Sequence, residues 1–80
     1  MNSNLDNLKC VIMRNNGKYN IIKFMNRDVA KQYYKIVLRQ TNFIHSDTLH
    51  RCISWCKNKG YEYNIIKRYK YNILDLVEYY

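Results

Sequence analysis

The chain has no proline, two glycines, one alanine (Ala30) and only two glutamates (Glu62 and Glu78). Each scarcity removes a class of reading. Gly17 and Gly60 stand alone, so no glycine-rich loop is present to cradle the phosphates of a nucleotide. No linker, charge run or repeat array divides the chain. The six acidic residues are scattered, which leaves the paired carboxylates of glycoside chemistry unsupported. No stretch approaches the roughly 18 uninterrupted apolar residues of a membrane span, so no membrane partner is expected. Residues 1–7 are polar and lack both the basic start and the apolar stretch of a secretion signal. A cytoplasmic protein is the expectation, in the host cytoplasm if the source is viral. Three cysteines (Cys10, Cys52 and Cys56) make an odd number without the dense spacing of a disulfide scaffold, and they predict free thiols in a reducing compartment. Eighty residues suffice for one small core. A single domain over residues 1–80 is expected, with residues 1–7 loosely ordered.

What the chain has in excess is positive charge and tyrosine. Fourteen Lys and Arg stand against six acids, a net charge of +8, and nine residues are Tyr. A positive field of that strength around a small body favours polyanionic partners. Asn, Ile, Lys and Tyr fill almost half of the positions, the composition of an AT-rich genome such as that of a phage, virus, organelle or reduced organism. Codon drift accounts for lysines. It does not account for the missing acids, because glutamate codons are AT-rich too, and the scarcity of Glu points to selected basicity.

Residues 8–14 and 19–25 are rich in β-formers and flank Asn16-Gly17, whose tolerance of positive φ suits a tight primed turn; a β-hairpin is expected. Asn26 is placed to cap a helix running to about residue 40, with Asp28 in its first turn. At about 100° per residue, Val29, Ala30, Tyr33, Tyr34, Ile36 and Val37 fall on one side and Arg27, Lys31, Lys35 and Arg39 on the other. Leu38 lands among the basic residues. Residues 41–45 look like a loop whose Phe43 and Ile44 plug the core. Ser46 is expected to cap a second helix to about residue 58, with Asp47 in the first turn, Gly60 just past the end, and a buried stripe of Leu49, Cys52, Ile53 and Cys56. In residues 61–69 the alternation of Tyr61, Tyr63 and Ile65 predicts a half-buried strand. Residues 71–80 fit a weak final strand, with a short helix capped by Asn72 as the alternative. Tyr-Asn-Ile-Ile-Lys occurs at 19–23 and again at 63–67, an echo that strengthens the strand expectation for the second copy.

The fold class expected is therefore α+β: a hairpin, two helices and one or two C-terminal strands, ββααβ(β), with both helices packed on one face of an antiparallel sheet. Two consecutive helices also invite comparison with a helix-turn-helix reader of duplex DNA, but the connection between them is hydrophobic and slightly long.

Chemistry is sparse. His45, His50, Cys52 and Cys56 lie within twelve residues, a density seen in zinc sites, yet His50 points about 200° from Cys52 on a helix, and Cys52 and Cys56 lie on an apolar stripe. Core thiols and surface histidines, with no metal and no cofactor, are expected. Such thiols are not nucleophiles, and no oriented base accompanies them; an enzyme is not expected. The informative pattern is the ridge Arg27, Lys31, Lys35 and Arg39, spaced by four residues and so by about 6 Å, close to the repeat of backbone phosphates. Exposed helices commonly alternate charge signs; this face is nearly all positive. Lys67, Arg68 and Lys70, interleaved with Tyr69 and Tyr71, form a second cluster in which stacking and charge combine as in single-strand binding. Trp55, at the edge of the second helix's stripe, and Tyr79 and Tyr80 are candidate protein-interface anchors.

Three functions share these features. The first is a non-enzymatic nucleic-acid-binding protein that contacts phosphates through the ridge and through residues 67–71. The second is a small inhibitor or adaptor that occupies an acidic or nucleic-acid-binding surface of a host defence or information-processing protein. The third is a subunit of a ribonucleoprotein.

Overall fold

The computed structural model describes residues 8–70. Residues 1–7, expected to be loosely ordered, and residues 71–80, expected to hold a weak strand, lie outside the described residues.

Strands β1 (Cys10–Asn15) and β2 (Lys18–Phe24) pair antiparallel with Asn15 opposite Lys18. Only Asn16 (φ 53°) and Gly17 (φ 79°) remain for the turn, the two consecutive left-handed residues that a primed two-residue hairpin demands. Helix α1 (Arg27–Val37) starts where expected: the Asn26 side chain accepts from the Val29 amide at 2.8 Å, and Asp28 occupies the first turn. It ends earlier than expected. The Arg39 and Gln40 amides donate to the Ile36 and Val37 carbonyls, both at 3.0 Å, a tightening of the last turn that satisfies exposed carbonyls and leaves Arg39 beyond the helix.

The expected loop at residues 41–45 is largely a strand. β3 (Phe43–Asp47) pairs antiparallel with β1 on its free side, with a bulge between Ile12 and Met13. Alternation sends Phe43 to α1 and Ile44 to the opposite side of the sheet, and the extra residue keeps His45 on that second side too, where it stacks on Trp55. Consequently the second helix begins later than expected. α2 (Leu49–Lys59) is capped by Thr48, whose hydroxyl accepts from the Arg51 amide, and has no acid in its first turn. Ser46 instead donates its hydroxyl to the Cys10 carbonyl, and Asp47 closes the strand by accepting from the Thr48 amide. Gly60 ends α2 in the left-handed region at φ 74°, its amide bonded to the Cys56 and Lys57 carbonyls. β4 (Tyr63–Arg68) then pairs parallel with β2.

The sheet order is β3-β1-β2-β4, antiparallel except at the β4 edge, and the α+β class with a single small body is as expected. The placement of the helices is not. α1 buries Val29, Ala30, Tyr33 and Val37 against Val11, Met13, Ile22 and Phe24, whereas α2 buries Cys52 and Cys56 against Cys10, Ile12 and Ile21. The helices therefore cover opposite faces. The physical reason lies in β1, where Cys10, Val11, Ile12 and Met13 are each no more than 2% exposed: consecutive strand residues alternate sides, so an unbroken apolar run requires a cover on both. With β3 between them and the sheet separating them, α1 and α2 are not a helix-turn-helix pair. No described helix is long and apolar enough to cross a membrane.

Candidate nucleic-acid interface

Arg27, Lys31 and Lys35 project from the exposed side of α1, opposite its buried Val29, Ala30, Tyr33 and Val37. Four-residue spacing advances them about 6 Å at a time. Arg39 is exposed at the helix's far end, and Leu38 stands 58% exposed beside it. Among the described residues no acidic side chain pairs with any of these four cations; the ion contact present joins His45 and Asp47 at 3.8 Å on β3.

The C-terminal cluster is partly brought to this ridge and partly divided. Met25 donates its amide to the Arg68 carbonyl at 3.0 Å, and the Asn26 side chain donates to the Tyr69 carbonyl at 3.3 Å. The end of β4 is thereby tied to the start of α1, beside Arg27. Alternation along the strand separates neighbours in the sequence: Arg68 aligns with Phe24 on the α1 side, while Lys67 aligns with Lys23 on the α2 side. Tyr69 is 63% exposed and Lys70 is exposed. Tyr71, like the interface candidates Tyr79 and Tyr80, lies outside the described residues.

Trp55 is half-buried on α2 at the centre of an aromatic corner. Tyr19 and Tyr61 stack at 4.3 Å between centroids with planes 4° apart; Trp55 lies 6.4 Å from Tyr19 and 5.8 Å from Tyr61, and His45 stacks on Trp55 at 5.8 Å. Two cations attend the rings: Arg14 at 5.8 Å from the Tyr19 centroid and Lys59 at 5.3 Å from Trp55. Partial desolvation, then a hydrogen bond with the Tyr61 side chain, raises the Tyr19 phenol above its ordinary range. Beside the rings a cleft of about 700 Å³ opens between the hairpin turn and the loop after α2, lined by Lys18, Tyr19, Tyr61, Glu62 and Tyr63 among others. Sequence reasoning treats Tyr19 and Tyr61 as ordinary strand residues and so misses this group. The legible signal is that each closely follows a left-handed glycine, the place where a chain reverses at a sheet end.

The thiols are chemically quiet. All three are buried in the α2-side cluster, where the Cys52 thiol donates weakly to the Asp47 carbonyl at 3.5 Å. Burial pushes Cys10 up to about 11, against a smaller opposing pull from Lys23, and Cys52 up to about 12; burial raises Cys56 as well. Thiols held protonated at neutral pH are poor nucleophiles and poor metal ligands. Among the described residues, no three His, Cys, Asp or Glu side chains gather closely enough to hold a metal ion. No protein-family model, curated protein or solved structure matches this chain.

Proposed function

We propose that this is a small, non-enzymatic nucleic-acid-binding protein of phage, viral or other AT-rich origin, working in the cytoplasm. It contacts backbone phosphates through Arg27, Lys31, Lys35 and Arg39, extended at the Arg27 end by Arg68, Tyr69 and Lys70, with Lys67 reaching the same strand from the other face of the sheet and Tyr71 following in the sequence. The observation that carries this reading is a row of exposed cations at phosphate-like spacing with no acidic partner among the described residues. On a net charge of +8, such a row supplies the sequence-independent attraction that dominates nucleic-acid affinity. The first test is direct. Purified protein should bind a labelled duplex and a labelled single strand at low salt, with log affinity falling linearly as log salt rises; no binding at low salt would refute the proposal.

Leu38, exposed in the midst of the cations, favours a second reading, an inhibitor or adaptor that covers an acidic, partly apolar patch on a host protein. The two separate on purification. A nucleic-acid binder carries absorbance near 260 nm that high salt removes, whereas an inhibitor carries one protein.

A further inference from the structure

The aromatic corner sits apart from the ridge, at the rim of the α2-side cluster, and its composition suits a particular ligand. Tyr61 is the outer ring of a parallel stack and remains 38% exposed. The cleft beside it has low walls. Gly17 and Gly60 carry no Cβ, and nothing lies within 4 Å of where either Cβ would stand, so a flat ligand meets no obstruction from the turn or from the cap of α2. Lys18 and one carboxylate, Glu62, line the cleft, while Arg14 and Lys59 lie over the Tyr19 and Trp55 rings of the corner. Ring faces set among cations are the makeup of grooves that hold single-stranded nucleic acid, where bases stack on aromatics and phosphates meet positive charge.

The corner also lies at the end of the sheet toward which the ridge runs. Asn42, three residues past Arg39, accepts from the Arg14 amide at 2.9 Å and donates its side-chain amide to Asn15 at 2.7 Å, and both partners belong to the end of β1 that leads into the turn. Paired bases inside a duplex cannot offer their faces to Tyr61. Unpaired ones can.

We propose that the Tyr19–Trp55–Tyr61 corner is a stacking site for unpaired bases of single-stranded DNA or RNA. The proposal rests on the nucleic-acid reading above and narrows it from nucleic acid in general to single strands. Trp55 is the chain's single tryptophan, so a base entering the corner reports itself by quenching the fluorescence of that residue.

The experiment titrates the full chain at low salt with oligothymidylate and oligouridylate of about 12 nucleotides, within the site sizes of single-strand grooves, and with a hairpin-closed duplex of equal phosphate number. Trp55 emission and the anisotropy of the labelled nucleic acid are followed together. Single strands should quench Trp55 and the duplex should not. Tyr61→Ala should weaken single-strand binding on the order of 10-fold and leave duplex binding unchanged, which also shows that the variant is folded; Tyr61→Phe, which keeps the ring, should bind like the wild type. Equal quenching by duplex and single strands, or a Tyr61→Ala variant with unaltered single-strand affinity, would overturn the stacking site while the ridge reading stands. An equal loss for both ligands in Tyr61→Ala would overturn it as well, since the loss would then be global. Absence of all nucleic-acid binding by the wild type would overturn both proposals, and if Tyr61→Ala then abolished association with one host protein, the corner would be that protein's contact instead.

Discussion

The two faces of the sheet are closed by different kinds of side chain. On the α1 side, large groups meet in the centre: Phe24 and Tyr33 lie 5.1 Å apart, both fully buried, and Tyr34 meets Phe24 edge-on while its hydroxyl donates to the Lys9 carbonyl. On the α2 side the centre holds small groups, three thiols with Ile12 and Ile21, and the large rings stand at the margin. Each face therefore spares surface for binding in a different place. α1 commits its aromatics to the core and presents charge outward; α2 fills its centre with thiols and leaves rings half in solvent.

Substitutions on the two faces should differ in what they cost the fold. The largest effect belongs to Tyr33→Ala, which should cost about 3–5 kcal/mol by opening a cavity at a fully buried ring, a large share of what a small domain possesses. Tyr61→Ala, at the rim, should cost about 1 kcal/mol or less. Equal losses in chemical denaturation would mean that the α2-side rings are core after all. Gly17→Val should cost about 1 kcal/mol or more because a β-branched residue resists positive φ; with open space at the Cβ position, the loss would be conformational and the pairing of β1 with β2 would survive in the folded fraction.

A fourth expectation concerns pH. Cys10 and Cys52 rise from 9.0 in the unfolded chain to about 11 and about 12 in the fold. A thiol whose folded value is raised contributes stability that is complete below pH 9 and is lost as pH climbs through the folded value, because the unfolded chain ionises first. Stability should therefore fall between pH 9 and about 12, with Tyr34, raised from 10.0 to about 12 by burial, adding to the decline above pH 10. In Cys10→Ala/Cys52→Ala the part of the slope that starts at pH 9 should flatten; an unchanged slope would show that these thiols ionise as freely in the fold as outside it.

Much of this architecture is legible in the residues. Asn16-Gly17 marks the turn and Asn26 and Gly60 mark helix ends; the alternation of Tyr61, Tyr63 and Ile65 finds β4 but not its burial, since Tyr61 precedes the strand and Ile65, on its open edge, is exposed. β3 is hidden for a physical reason: the bulge breaks the period of two at the point where Phe43 and Ile44 would announce it, and His45, Ser46 and Asp47 are polar. The opposite placement of the helices is written in the unbroken apolar run of β1, a pattern that one-sided alternation does not produce. For the ridge, periodicity finds Arg27, Lys31 and Lys35 but carries Arg39 past the point where α1 tightens and stops. Lys67 and Arg68, adjacent in the sequence, part to opposite faces because strands alternate. The aromatic corner joins Tyr19 of β2, Trp55 of α2 and Tyr61 of the loop after α2; the glycines before the two tyrosines mark the chain reversals, but nothing local brings them to Trp55.

On the proposed reading the outer face of α1 grips backbone phosphates. Replacing Lys31, Lys35 and Arg39 together by Gln is the most direct test, because Gln has nearly the helix propensity of Lys and Arg and none of the three is buried. The melting temperature should stay near that of the wild type. Affinity should fall alike for every base sequence, and the slope of log affinity against log salt should decrease by up to about 0.9 for each lost duplex contact, or about 0.7 on a single strand. A triple variant that stays folded and binds with the wild-type salt slope would show that this face is solvated surface and grips no phosphate.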